Sequence, residues 1–365
     1  MDPGPGTSEG IFFTAGRTAT RGTGPPRGEL VIAGCRSGGL LSSMVLKRYR
    51  ELARKAGEKH EIRYMGNIDF QFSDGETCVR LPEDVSGADV FLFQALYDPL
   101  SGRSVDQNYM AFLIAAKTFR SWGAGHVTAV LPYLAYSRQD KPTWSTREPS
   151  TARLMADLCS TSGADRLVTW HPHTDQTRGF YGNITVDKLD PLGIFAGEFR
   201  RFRQRDDVIA VAPDAGASKM VTYFGRELGL KCAIASKYRP EPEKAAVSEI
   251  IGDFRGKKTA IVLDDMISSG DTVHQLITKL AAEKKVGEVY LAVSHNLCSQ
   301  SALGKLIELH ESFNLKEVVV TDTIPQSHDF RALKFLSVRS VSDTFSRVIN
   351  RIHYNQSVND LFYAT

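Results

Sequence analysis

Apolar, β-rich runs recur along the chain at Leu30–Ala33, Val90–Leu96, Val127–Leu131, Leu167–Trp170, Val208–Ala212, Ala260–Leu263, Val289–Val293 and Val318–Val320. Near-continuous apolar strands have no solvated face, so they are expected in parallel sheets covered on both sides. The segments between them supply the covers. Val273, Leu276, Ile277 and Leu280 stand at helical spacing with polar residues between, which predicts an amphipathic helix from Thr272 to about Ala282. Leu154, Met155 and Leu158 begin another. The fold class is therefore α/β, and the number of strands suits two consecutive sheets. Pro and Gly punctuate the chain at Asp190-Pro191-Leu192-Gly193, a natural boundary.

Composition narrows the class without choosing a function. A chain of 365 residues exceeds what one core usually serves. Its 42% hydrophobic and 24% charged residues are an ordinary globular mix. A net charge of +3 argues against a nucleic-acid surface or a polybasic membrane anchor. No apolar run reaches the length of a membrane span. The five cysteines (Cys35, Cys78, Cys159, Cys232, Cys298) are scattered, with no metal-ligand spacing and no disulfide framework, so a reducing, cytoplasmic setting is expected. Residues 1–28 are rich in Gly, Pro, Thr and Ser and lack the apolar core of a secretory signal, so they read as a disordered tail.

The most informative stretch is Ile261-Val-Leu-Asp-Asp-Met-Ile-Ser-Ser-Gly-Asp-Thr272. It reads as the end of a buried strand, two carboxylates, a Ser/Gly turn and the start of a helix. Such a turn points backbone N–H groups at a helix N-terminus, where a phosphate binds well. The carboxylates can accept hydrogen bonds from vicinal sugar hydroxyls, so a sugar phosphate satisfies both halves. The same residues also suit a plain strand with an acidic N-cap before an ordinary helix.

Four further blocks stand in order. They are Phe72-Ser-Asp-Gly-Glu-Thr77, Tyr136-Ser-Arg-Gln-Asp-Lys141, His171-Pro-His173 and Pro213-Asp-Ala-Gly-Ala217, most of them just after an expected strand. Together with the first stretch they resemble the ribose-phosphate diphosphokinase (phosphoribosyl-pyrophosphate synthetase) family over residues 29 to about 363. Ligands of open α/β sheets bind at that strand edge. The resemblance implies two consecutive phosphoribosyltransferase-like domains. Residues 29–190, joined by 340–365, would form the ATP side, and residues 191–339 the ribose 5-phosphate side.

It also implies roles. Lys237 and Arg239 match a cationic pair on a mobile loop over the phosphates. Arg138, Gln139 and Asp140 match the ATP site, as do Phe72, Asp74 and Glu76, which in the family reach across from a neighbouring subunit. Asp264 and Asp265 match the ribose-contacting carboxylates, and Ser268, Ser269, Gly270 and Thr272 suit the 5-phosphate. His173, Asp214 and His171 match positions around the magnesium carried by ATP. The expected partners are ATP and ribose 5-phosphate, with a homo-oligomer of at least a dimer, up to a hexamer, and no nucleic acid or membrane.

Three departures stand out. His171 occupies a position where many members carry Asp. Asp271 stands where Gly is usual, placing a negative charge beside the phosphate turn. Pro240 and Pro242 stiffen the cationic segment. The alternatives are a catalytically weak associated subunit of the same fold, or a regulator that senses phosphoribosyl pyrophosphate. The regulator would need a DNA-binding module, which neither the first 28 residues nor the charge offers.

Overall fold

The computed structural model describes residues 12–14, 26–58, 61–143, 147–241 and 244–361. The first sheet contains β1 (Leu30–Gly34), β2 (Arg63–Gly66), β5 (Asp89–Phe93), β6 (His126–Val130), β7 (Arg166–Trp170) and β8 (Thr185–Leu189). Its order is β2-β1-β5-β6-β7-β8 and every pairing is parallel. A separate hairpin, β3 (Asp69–Gln71) with β4 (Thr77–Val79), belongs to neither large sheet. The second sheet contains β9 (Val208–Ala212), β10 (Lys231–Glu241), β11 (Lys244–Ile251), β12 (Thr259–Ile267), β13 (Glu288–Asn296), β14 (Leu315–Thr321) and β15 (Leu336–Arg339). Its order is β11-β10-β9-β12-β13-β14-β15, parallel except for the β10/β11 hairpin.

Helices cover both faces of each sheet. They are α1 (Gly39–Lys55), α2 (Val105–Ser121), α3 (Thr151–Thr161), α4 (Leu192–Glu198), α5 (Ser218–Leu228), α6 (Asp271–Ala282), α7 (Gln300–Ser312), α8 (His328–Arg331) and α9 (Ser342–His353). The expected α/β class with mostly parallel sheets is what the chain adopts. Val273, Leu276, Ile277 and Leu280 are 0–2% exposed, packed against apolar residues of β12 and β13. Burying each such side chain stabilises by about 1.5–3 kcal/mol. Propensity differences between helix residues amount to a few tenths, so the stripe sets this helix. No helix among the described residues is long and apolar enough to cross a membrane.

After β15 the chain returns to the first sheet. Phe345, Val348, Ile349 and Ile352 of α9 pack with Phe91, Phe93, Val130 and Trp170. The same cluster takes in Phe12, which corrects the expectation of a disordered tail at that point. Phe12, Phe13 and Thr14 are all buried. The Asn350 side chain clasps Phe13 from both sides, its Oδ1 accepting from the Phe13 N–H (2.7 Å) and its Nδ2 donating to the Phe13 carbonyl (2.9 Å). Phe12 meets Tyr49 edge-on at 5.0 Å. Of residues 1–28, only these three and 26–28 fall within the described residues.

Candidate active site

The turn after β12 is built to present N–H groups. Strand β12 runs further than the sequence suggests, through Asp264 and Asp265 to Ile267, because Met266 and Ile267 still pair with His295 and Asn296. Gly270 then takes a left-handed conformation (φ 79°), and an added Cβ would meet the Ala302 Cα at 3.2 Å. Two demands, the positive φ and the close approach, make this glycine hard to replace. Unlike α2 and α7, which Ser104 and Ser299 cap, α6 has no side-chain cap. Its first N–H groups keep the capacity to bind an anion.

The start of α7 fixes the turn from behind. Ser299 Oγ donates to the Ser268 carbonyl (2.6 Å), while Ser301 Oγ (3.1 Å) and Lys305 Nζ (2.9 Å) donate to the Ser269 carbonyl. In a trans peptide the N–H points opposite to the carbonyl. With these carbonyls held toward α7, the N–H groups of Ser269 and Gly270 face the other way, into the turn's mouth. Asp271 is at the first position of α6. Its carboxyl lies low, first through Lys305, whose Nζ is 2.6 Å from Oδ1, and next through the Ser269 hydroxyl. Sequence reasoning named Asp271 but missed Ser299, Ser301 and Lys305. No local pattern marks a residue whose partner is 34 positions away.

The two sheets meet edge to edge at the carboxyl ends of β7 and β13. His173 Nδ1 lies 2.6 Å from Asp265 Oδ2. Burial alone would raise the Asp265 carboxyl, but the bond and charge of His173, with His171 and Asp264, more than offset it and hold it below the usual carboxylate range. The same bond raises His173 in spite of its burial. His171 has a left-handed backbone (φ 39°), unusual for a side chain of its size, and its ring Nδ1 contacts Ser294 Oγ at 2.7 Å. Burial pushes that ring down to about 3, so it is neutral, with only Nε2 left for another partner.

His295, buried on β13, holds this turn. Its Nε2 lies 3.1 Å from the carbonyls of both Trp170 and His171, and its Nδ1 lies 2.9 Å from Thr323 Oγ1. Carbonyls only accept, so the proton is on Nε2, and Nδ1 faces the Thr323 hydroxyl, which also lies 3.1 Å from the Ser294 carbonyl. Burial brings this imidazole down to about 4 and keeps it neutral. The arrangement ties the His171-Pro172-His173 turn to the second sheet.

The remaining expected residues divide into those that converge and those that stand apart. Arg138 and Asp140 lie close enough for their charges to be felt at His173. Their turn is closed by the Gln139 N–H to the Tyr136 carbonyl (2.9 Å) and by Ser150 Oγ to the Asp140 carbonyl (3.0 Å). Asp214 follows β9 and its Oδ1 accepts from the Ala217 N–H at 3.2 Å. Phe72, Asp74 and Glu76 form the tip of the β3/β4 hairpin. Phe72 is 51% exposed, and Asp74 Oδ1 accepts from the Glu76 N–H (3.0 Å). The side chains of Lys237 and Arg239 lie outside the described residues. Their backbone forms a strand, β10, where a mobile loop was expected. Beyond Ile234, which pairs with the last residue of β9, β10 continues past that sheet edge as a hairpin with β11.

No group of three or more His, Cys, Asp or Glu able to hold a metal ion occurs among the described residues. Magnesium keeps several waters and is often bound by one or two protein groups plus substrate phosphates. His173, after β7, and Asp214, after β9, are single groups of the kind such a metal uses.

Comparison with known proteins gives a consistent result. Residues 42–163 match the N-terminal domain of ribose phosphate pyrophosphokinase, and residues 207–363 match the phosphoribosyl synthetase-associated domain. The ribose-phosphate pyrophosphokinase of Caldanaerobacter subterraneus subsp. tengcongensis is 40% identical over 312 residues, 86% of this chain and 94% of that protein. That of Clostridium acetobutylicum is 41% identical over 295 residues, 80% of this chain and 88% of that protein. The crystal structure of phosphoribosylpyrophosphate synthetase from Mycobacterium smegmatis superposes with a TM-score of 0.74 at 29% identity, covering 90% of this chain and 99% of that one. With two sheets whose carboxyl edges converge on an open N–H turn and a His–Asp pair, this chain belongs to the ribose-phosphate pyrophosphokinase family.

Proposed function

We propose that the chain transfers the diphosphoryl group of ATP to the anomeric hydroxyl of ribose 5-phosphate, giving phosphoribosyl pyrophosphate and AMP. The observation that carries this reading is the His173–Asp265 pair. It joins the edge that carries Arg138 and Asp140 to the edge that carries the N–H turn. One substrate on each edge would then meet at the pair.

In this reading the anomeric hydroxyl gives up its proton to water as its oxygen forms a bond to the β-phosphorus of ATP. The bond from that phosphorus to the oxygen bridging the α- and β-phosphates breaks, and AMP leaves. Asp264 and Asp265 accept from the ribose hydroxyls, and Ser268, Ser269, Gly270 and Thr272 take the 5-phosphate. Arg138, Gln139 and Asp140 hold the nucleotide. Lys237 and Arg239 meet the charge of the phosphoryl group in flight. Magnesium on the nucleotide, held by His173 and Asp214 and bordered by His171, would neutralise phosphoryl charge. Phe72, Asp74 and Glu76, on a hairpin apart from both sheets, would complete the adenine site of a second copy in a dimer-based homo-oligomer. The setting is cytoplasmic nucleotide biosynthesis.

The reading of a weak associated subunit rests on His171 and Asp271. The ring of His171 contacts Ser294 of β13 and Asp271 lies 2.6 Å from Lys305, so each departure has a partner within this chain. The deciding assay is AMP release from ATP with and without ribose 5-phosphate. AMP should appear only with the sugar and in equal amount to phosphoribosyl pyrophosphate. No sugar-dependent AMP would overturn the proposal.

His295 gives a further expectation. Replacing it with Leu removes the donor to the Trp170 and His171 carbonyls and frees the turn. Small misplacements of reacting groups cost on the order of 10²-fold. His295→Leu should therefore lower kcat by about that factor with a smaller change in the KM for ATP. Gln, which keeps a donor near the Nε2 position, should recover part of the loss. Equal kcat in His295→Leu and the parent, per folded molecule, would remove this role.

A further inference from the structure

The ammonium group of Lys305 is fully engaged. Its three partners are Asp271 Oδ1 (2.6 Å), the Ser269 carbonyl (2.9 Å) and Ser301 Oγ (2.8 Å). A lysine ammonium has three N–H donors, so all three are spent at or beside the turn. Its side chain is 25% exposed while that of Asp271 is 58% exposed, so the ammonium sits behind the carboxylate and against the turn. The other oxygen of Asp271 takes the hydroxyl of Ser269. The carboxylate therefore engages a hydroxyl and a cation at the mouth where a phosphate would seek the same kinds of group.

We propose that Lys305 is the counter-charge of the sugar-phosphate turn, offsetting Asp271 so that the turn can accept a phosphate. This rests on the reading that residues 268–272 hold the 5-phosphate of ribose. Without the lysine, a phosphate would arrive beside an uncompensated carboxylate at the first position of α6, and like charges at that range repel appreciably even through solvent. With it, the local charge from this pair is zero. Lys305 also holds the Ser269 carbonyl, and with it the outward direction of the Gly270 N–H.

The pair predicts a sign that a purely structural ion pair would not give. Exposed pairs contribute little to stability, so Lys305→Met should fold normally. It should nevertheless weaken ribose 5-phosphate binding about tenfold, the scale of one lost charge-assisted contact, and leave ATP binding within twofold. Adding Asp271→Gly to Lys305→Met should recover most of that loss, because the charge to be offset is gone. Lys305→Arg should stay close to the parent.

The experiment is calorimetric titration of ribose 5-phosphate into each full-length variant with magnesium and saturating α,β-methylene-ATP. Separate titrations with the nucleotide alone read the ATP side. If the parent binds no ribose 5-phosphate, the functional reading fails and this inference with it. If the parent binds but Lys305→Met binds equally well, the inference fails alone. It also fails if Asp271→Gly brings no recovery in the Lys305→Met background.

Discussion

Lys237→Ala is expected to lower turnover by roughly 10²-fold, about 3 kcal/mol, the usual cost of removing one electrostatic stabiliser from a phosphoryl-transfer or acyl-transfer site. The KM values for ATP and ribose 5-phosphate should stay within a few-fold, because the charge is needed mainly in the transition state. The backbone supports this assignment. Strand β10 pairs with β9 only as far as Ile234 and runs on as a hairpin with β11, beyond the end of β9, where Asp214 lies. The pairing shifts register between Ser236 and Lys237. Pro240 suits such an overhang, since a free edge tolerates a residue without an N–H. Steady-state kinetics decides the matter, and a Lys237→Ala enzyme with kcat within a few-fold of the parent would remove the hairpin from the chemistry.

The legible parts of the fold are those whose physics is local. Strands buried on both faces read as unbroken apolar runs: β9 has the bounds its run predicts, while β12 continues four residues past its apolar run through Asp264 and Asp265. The short edge strands β2, β8 and β15 were not seen, because an edge has a solvated side and carries residues such as Arg63, Lys188 and Arg339 within four or five positions. The N–H turn was legible in the same way, since Ser, Ser and Gly announce a backbone that must open. Its surroundings were not. Whether the charge of Asp271 harms the turn depends on Lys305, and whether His173 faces Asp265 depends on His295, and each is a contact across the fold. The segment around Phe12 shows the reverse limit. Its Gly/Pro-rich neighbours argue for disorder, yet two aromatic rings and one well-placed Asn350 are enough to seat it.

Asp264→Asn with Asp265→Asn should cost the most binding. Asp264 is 8% exposed and its Oδ1 accepts from the Asp265 N–H at 2.9 Å, so it braces the strand end. Asp265 shares its Oδ2 with His173. In the proposed role each carboxylate would accept from a sugar hydroxyl, and hydrogen bonds to charged groups contribute about 1.5–3 kcal/mol apiece. Together their loss should weaken ribose 5-phosphate by on the order of 10²- to 10⁴-fold, which takes binding out of reach of an ordinary titration. The effect on ATP should be far smaller and should come through His173, which loses the partner that holds its charge. The comparison of the two ligands is therefore the informative one. A variant that still binds α,β-methylene-ATP is folded at this edge, and its failure with the sugar phosphate can be assigned to the missing carboxylates. Retention of ribose 5-phosphate affinity within tenfold would mean that the sugar does not lie against β12, and the site would have to be sought elsewhere along the two carboxyl edges.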